Sequence, residues 1–209
     1  MSVGFDTGVA INKMQYNIPN SVNSLVNSIG YTANLAFQYK INRFLLLGAD
    51  LGQLEKNYIS NNNQDIYLKV QNTYLQFSIN GSYLLNFTNK FYGSVSCGFY
   101  SAYWSKSRNE GLVPNAYNVT EGFDPGSVEQ IGLEKIRSVH KFDSQIDNRL
   151  EFGWLCGAGV NYVLTGNIKL SLKGQLFEAL TGQEKIYYEN QVRKYNQTLA
   201  FTFGVIYGF

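Results

Sequence analysis

The chain has 209 residues, 44% hydrophobic and 15% aromatic, with 16 Tyr and 14 Phe against 3 Pro and 2 Met. A formal charge of +2, with no basic stripe interleaved with stacking aromatics, argues against nucleic acid, and no run of about 18 apolar residues exists to make a membrane-spanning helix. A spanning barrel stays open, because its strands are diluted by alternation, and the aromatic excess leans towards strands.

From the N-terminus, Val3, Phe5, Val9 and Ile11 alternate with Gly4, Asp6, Gly8 and Ala10, a strand with one apolar face. A polar loop around Pro19 follows, to about Ser28. The second strand sets Tyr31, Ala33, Leu35, Phe37 and Tyr39 against Thr32, Asn34, Ala36, Gln38 and Lys40, then turns sharply through Ile41, Asn42 and Arg43. Leu45, Leu47, Ala49 and Leu51 oppose Gly48, Asp50 and Gly52 in the third strand, before a loop containing Asn61, Asn62 and Asn63. A long fourth strand from Tyr67 to Phe87, a tight turn at Thr88 to Lys90 and a fifth strand carrying Phe91, Val95, Cys97, Phe99 and Tyr103 come next.

After Trp104 the alternation is lost over a charged, turn-rich stretch, about Ser105 to Asp147, read as one long loop. Such a loop is unusual unless functional or disordered, and loops on rigid scaffolds are where recognition is commonly placed. Periodicity returns in Leu150 to Leu164, turns at Thr165 to Asn167, and continues through Ile168, Leu170, Leu172, Leu176 and Leu180 against Lys169, Ser171, Lys173 and Gln175. A polar loop from about Gly182 to Lys194 leads to the closing strand, where Leu199, Phe201, Phe203, Val205, Tyr207 and Phe209 share one face.

About eight strands joined alternately by long polar loops and tight turns predict a single all-β domain over residues 1–209: a closed antiparallel up-and-down transmembrane barrel. Aromatics gather at both ends as interfacial girdles do, with Tyr39, Phe44, Phe87, Phe91, Tyr162 and Tyr207 at the tight-turn end and Tyr31, Tyr103, Trp104 and Tyr195 at the other. A soluble lipocalin-like barrel would alternate too. It lacks support here: there is no Gly-any-Trp opening strand and no C-terminal helical period, and inverting the barrel would place Lys173 and Asp50 in oil.

The stretches EFGWLCGAGVNYVLTGNIKLSLKGQ and LAFTFGVIYGF carry a resemblance to the porin-like outer-membrane β-barrel family, PorT-type. Thr202, Gly204, Tyr207 and Phe209 are spaced like the C-terminal signal that the bacterial outer-membrane assembly machinery reads. The resemblance implies residence in the bacterial outer membrane. The opening MSVGFDTG shows no basic segment before an apolar core, so the protein is expected to be exported with a signal peptide not present in this sequence, which is then a mature or trimmed form. The family has many roles, so its fold says little about activity.

Leu170, Leu172, Leu199, Phe201, Phe203 and Val205 are assigned to the lipid face, and Asp6, Asp50, Glu151, Lys169 and Lys173 to a polar network in the lumen. Charges confined to a narrow lumen must pair; Lys173 is matched first with Asp50, which lies about as far above its tight turn, and then with Asp6 or Glu151. Cys97 and Cys156 have no metal-ligand spacing and are read as two small apolar thiols on the lipid face, with a cross-strand bridge as the alternative. His140 lies near Ser138, Asp143 and Ser144, but these share one polar loop with no Gly-flanked serine, so no catalytic residue, metal or cofactor is assigned. The expected role is a non-enzymatic scaffold or accessory subunit that meets protein partners through extracellular loops, surrounded by outer-membrane lipid. The alternative is a narrow porin-like channel for small solutes.

Overall fold

In the computed structural model, residues 1–16, 24–63, 66–120, 130–185 and 193–209 are described. They form one antiparallel sheet: β1 (Ser2–Tyr16), β2 (Ser24–Lys40), β3 (Leu45–Glu55), β4 (Tyr58–Asn63), β5 (Ile66–Asn86), β6 (Phe91–Thr120), β7 (Gln130–Val139), β8 (Leu150–Val163), β9 (Ile168–Ala179) and β10 (Lys194–Gly208). Eight of them close a ring in the order β1, β2, β3, β5, β6, β8, β9, β10, with β10 returning to β1 from Ser2↔Gly208 to Tyr16↔Lys194. The fold is thus a closed transmembrane-type β-barrel. The stretches about Pro19, about Pro125 and from 186 to 192, all expected as loop, lie outside the described residues.

The three tight turns use one device. Asn42 Oδ1 accepts from the N–H groups of Phe44 and Leu45, both at 2.8 Å, Thr88 Oγ1 accepts from Phe91 N–H at 3.0 Å, and Thr165 Oγ1 from Ile168 N–H at 3.3 Å. A short polar side chain that satisfies its own backbone lets the chain reverse where no room exists for a loop.

Pleating sends alternate side chains to opposite faces, and the outer face is apolar around the whole circumference: Phe5, Leu35, Leu51, Phe77, Phe99, Leu172 and Phe203 are all exposed. A continuous belt of this kind far exceeds the apolar patch a soluble monomer shows, and it fits hydrocarbon. Tyr39, Phe87, Phe91, Tyr162 and Tyr207 ring it on the turn side, and Tyr31 and Tyr103 on the other.

Three stretches expected as loop are wholly or partly strand. The sheet does not stop at the belt: β4 pairs with both β2 and β5, β5 and β6 continue together to Tyr67↔Leu112, and β6 pairs with β7 from Arg108↔Val139 to Thr120↔Gln130. β2 itself begins at Ser24, within the expected first loop. Above the belt the outer face no longer meets hydrocarbon, so hydrophobic alternation vanishes although pairing persists. At Ser105 the β5–β6 register shifts by one residue, Tyr74↔Trp104 being followed by Thr73↔Lys106, and Ser105 Oγ donates to Thr73 O at 2.9 Å. This bulge reverses the parity of β6, so that Trp104 and Ser107 are both buried.

Candidate functional site: a plugged lumen

Among the described residues, the lumen is the enclosed environment where polar chemistry could be organised, and its two halves differ. The half nearer the long connections is filled by Ala10, Leu54, Tyr74, Tyr100, Ala102, Trp104, Leu155, Phe177 and Ala200, all buried. Tyr74 stacks on Trp104 with centroids 6.0 Å apart, and Tyr100 meets Phe177 edge-on at 5.4 Å. Gly153 makes the Tyr100 ring fit, since a Cβ there would come within 2.6 Å of it. Trp104, expected in the girdle, is an inward residue: it lies on the same parity as Tyr100 and Ala102.

A charged pair sits inside this apolar filling. β3 ends at Glu55 and the chain steps inward: Lys56 N–H donates to Asn72 O at 2.8 Å, Asn57 Oδ1 accepts from Asn72 N–H at 3.1 Å, and Asn57 Nδ2 donates to Ile29 O at 3.0 Å. Asn57 thus replaces the missing ladder bonds on both sides, and Lys56 is delivered fully buried into the lumen. Its Nζ pairs with Glu151 Oε1 and lies 5.0 Å from the centroids of both Tyr74 and Tyr100. Glu151 also accepts from Tyr100 Oη–H at 2.8 Å and from Asn196 Nδ2 at 2.6 Å. Around it Asn196 Oδ1 accepts from Asn12 Nδ2 at 3.1 Å, Asn12 Oδ1 accepts from Thr198 at 2.7 Å, and Tyr74 Oη accepts from Gln183 Nε2 at 2.9 Å. The Glu151 carboxylate thus accepts from Lys56, Tyr100 and Asn196, while the Lys56 ammonium lies between two aromatic rings, so neither charge is left bare in the plug.

Over the plug lies a cap made by residues 140–149. His140 stacks on Trp104 at 5.8 Å, Phe142 meets Trp104 edge-on at 5.0 Å, and the Arg149 guanidinium lies 4.1 Å from the Phe142 centroid and 4.4 Å from that of Tyr103. His140 Nε2 is 3.0 Å from Asp147 Oδ2, which also accepts from Asp143 N–H at 2.7 Å. Asp147, rather than Asp143, is therefore the carboxylate at His140, and no hydrogen bond joins His140 to Ser138 or Ser144 among the described residues.

The other half of the lumen is polar and open. Lys173 Nζ pairs with Asp6 Oδ2 at 2.9 Å, while Asp6 Oδ1 accepts from Asn34 Nδ2 at 2.8 Å. Asp50, matched first with Lys173 on height alone, accepts instead from Ser78 at 3.3 Å and Asn80 at 3.1 Å. Asp6 and Lys173 stand on strands that both flank β10, paired with Gly204 and Thr202 respectively; Asp50 stands on β3, two strands from β1 round the ring. Lys169 has no carboxylate partner among the described residues and lies 5.9 Å from the Tyr92 ring. Together with Lys40, Ser2, Asn86 and Tyr92 it lines a vestibule of about 520 Å³ that opens at the tight turns. Inside it a pocket of only about 40 Å³ lies between Asp50, Lys173 and Asn80.

On the outer wall, Leu199, Phe201, Phe203 and Val205 project from β10, and Leu170 and Leu172 from β9 beside them. Thr202 and Gly204 are buried towards the lumen, while Tyr207 and Phe209 point outward with rings 5.2 Å apart. Among the described residues, no group of three or more His, Cys, Asp or Glu is placed to hold a metal ion. Lys56, Tyr74, Tyr100, Leu155 and Phe177 belong to the plug and were not singled out from the sequence. The signal available for the aromatic members was parity: each sits one residue from a lipid-facing neighbour.

No protein-family model and no curated protein matches the sequence. Solved structures do. The outer membrane protein OprG from Pseudomonas aeruginosa superposes with a TM-score of 0.57 at 11% identity, over 100% of this chain and 95% of that one. The outer membrane protease OmpT from Escherichia coli gives 0.54 at 11% identity, over 100% and 96%. At such identities the likeness is one of fold alone, and the fold of this chain is that of the small outer-membrane β-barrels.

Proposed function

We propose that the chain is an integral bacterial outer-membrane protein with no active site, acting as a scaffold or accessory subunit that meets protein partners through the strands and loops beyond its apolar belt. The observation that carries this reading is the filled lumen: a buried Lys56–Glu151 pair, an aromatic layer and the 140–149 cap stand across the path that a solute would take. An eight-stranded barrel is just wide enough for its side chains to fill. The residues spent on display lie elsewhere, in β4, the upper halves of β5 and β6, and β7, whose only strand partner among the described residues is β6. A free strand edge offers backbone donors and acceptors to a partner's strand. The outward Tyr207 and Phe209 support a role for the Thr202, Gly204, Tyr207, Phe209 pattern as the assembly signal.

The competing reading, a narrow channel, draws on the polar vestibule at the turn side. Single-channel recording in planar bilayers separates the two. The scaffold reading expects no steady conductance from the wild type, and a persistent open level would overturn it. Extraction in mild detergent should then retain a stoichiometric protein partner that is lost when β6–β7 is shortened.

A further inference from the structure

Cys97 and Cys156 are the only cysteines of the chain. They are direct cross-strand partners in a β6–β8 register that runs unbroken from Phe91↔Tyr162 to Tyr103↔Leu150, and they sit midway along it. Their sulfurs are 2.7 Å apart. Both lie on the outward parity, flanked by Val95 and Phe99 on one strand and Trp154 and Ala158 on the other, within the apolar belt. Two facing thiols at this level gain nothing from each other as thiols, because an apolar surface is served equally well by Ala or Val.

We propose that Cys97 and Cys156 form a cross-strand disulfide on the lipid-facing wall. Directly opposed antiparallel residues have Cα atoms about 4.5–5.5 Å apart, inside the roughly 4.4–6.8 Å window a disulfide requires, so the bond forms without moving either strand. The proposal rests on export, since that route takes the chain through an oxidising compartment. The chemistry there is thiol–disulfide exchange with a protein disulfide as oxidant. One cysteine thiolate attacks the oxidant's disulfide and displaces one of its sulfurs as a thiolate, giving a mixed disulfide. The second cysteine then attacks the chain's own sulfur in that mixed disulfide and releases the oxidant as a dithiol. The chain loses two electrons and two protons, and the oxidant gains both. Each step needs a thiolate, which an apolar medium disfavours, so the bond is made before insertion and is then shielded by hydrocarbon. It holds β6 against β8 in register while the intervening segment, which includes β7, is still unplaced.

The test uses the full chain by two routes. First, protein taken from outer membranes is denatured with a polymer-tagged maleimide, with and without prior reduction, and its membrane fractionation is followed alongside. The expected result is no tagged species without reductant and a doubly tagged one after it; a doubly tagged species without reductant overturns the bond. Second, chain unfolded in urea is oxidised in a glutathione buffer and folded into detergent micelles, a route that does not depend on where the protein resides. The oxidised monomer should reach the heat-modifiable folded form with its thiols still blocked to maleimide after denaturation. If the reduced chain folds and the oxidised monomer does not, the proposal fails even where the location holds. If the oxidised monomer folds but the protein never fractionates with the outer membrane, the location fails and the pairing stands.

Discussion

Lys56→Met removes the ammonium that neutralises Glu151 inside the plug. The carboxylate then keeps only two neutral donors, Tyr100 at 2.8 Å and Asn196 at 2.6 Å, in a site from which Tyr74, Tyr100 and Leu155 exclude water. Breaking a buried pair by removing one member costs about 3–5 kcal/mol, and Glu151→Gln, which strands Lys56 instead, should cost a similar amount. In the double variant no charge is left to desolvate. Because its Met and Gln leave neither ion uncompensated in the plug, that variant should be no less stable than either single one, giving a coupling of about 3 kcal/mol or more. Urea unfolding from lipid vesicles measures this, and the two tryptophans divide the readout: Trp104 stacks on Tyr74 in the plug, and Trp154 faces the lipid. A double variant whose loss equals the sum of the single losses would refute the pair as an energetic unit.

Other perturbations reach the rest of the molecule. Phe201→Arg, on the belt, should destabilise by about 2–4 kcal/mol in vesicles, measured by the same unfolding. Lys173→Met should be rescued by Asp6→Asn and not by Asp50→Asn, because Asp6 is its 2.9 Å partner, and double-mutant cycles read the difference. Replacing Arg108 to Val139 with a short Gly/Asn turn keeps His140 and Phe142 on Trp104. Loop closure varies slowly with length, so the variant should still show heat-modifiable migration in detergent gels while losing co-purifying partners.

What was legible in the sequence followed from the belt. Where one face meets lipid and the other a packed lumen, alternation is enforced residue by residue, so the strand count and tight turns could be read directly. The plug was hidden by the same belt. In Phe99–Tyr100, Tyr103–Trp104 and Leu176–Phe177 an inward aromatic follows an outward apolar residue, and the pair reads as hydrophobic without stating a face. Lys56 was out of reach because it enters the lumen at a break between β3 and β4, where Asn57 substitutes for backbone ladder bonds. Its partner Glu151 carried the right parity, but choosing which cation met it required the register of the ring.

The seam between β1 and β10 has a consequence for the timing of assembly. It joins Ser2 to Gly208 and Tyr16 to Lys194, residues separated by most of the chain, so no intermediate that lacks β10 can make the native seam along the outer edge of β1. Until β10 arrives the sheet has two raw edges and a lumen open along its side, and the hydrogen bonds of both edges are available to any neighbouring strand. A ribosome-bound or half-translocated chain is therefore never a small barrel waiting to grow. Closure is all-or-none in the order of synthesis, and the interval before it is when the chain most needs an escort.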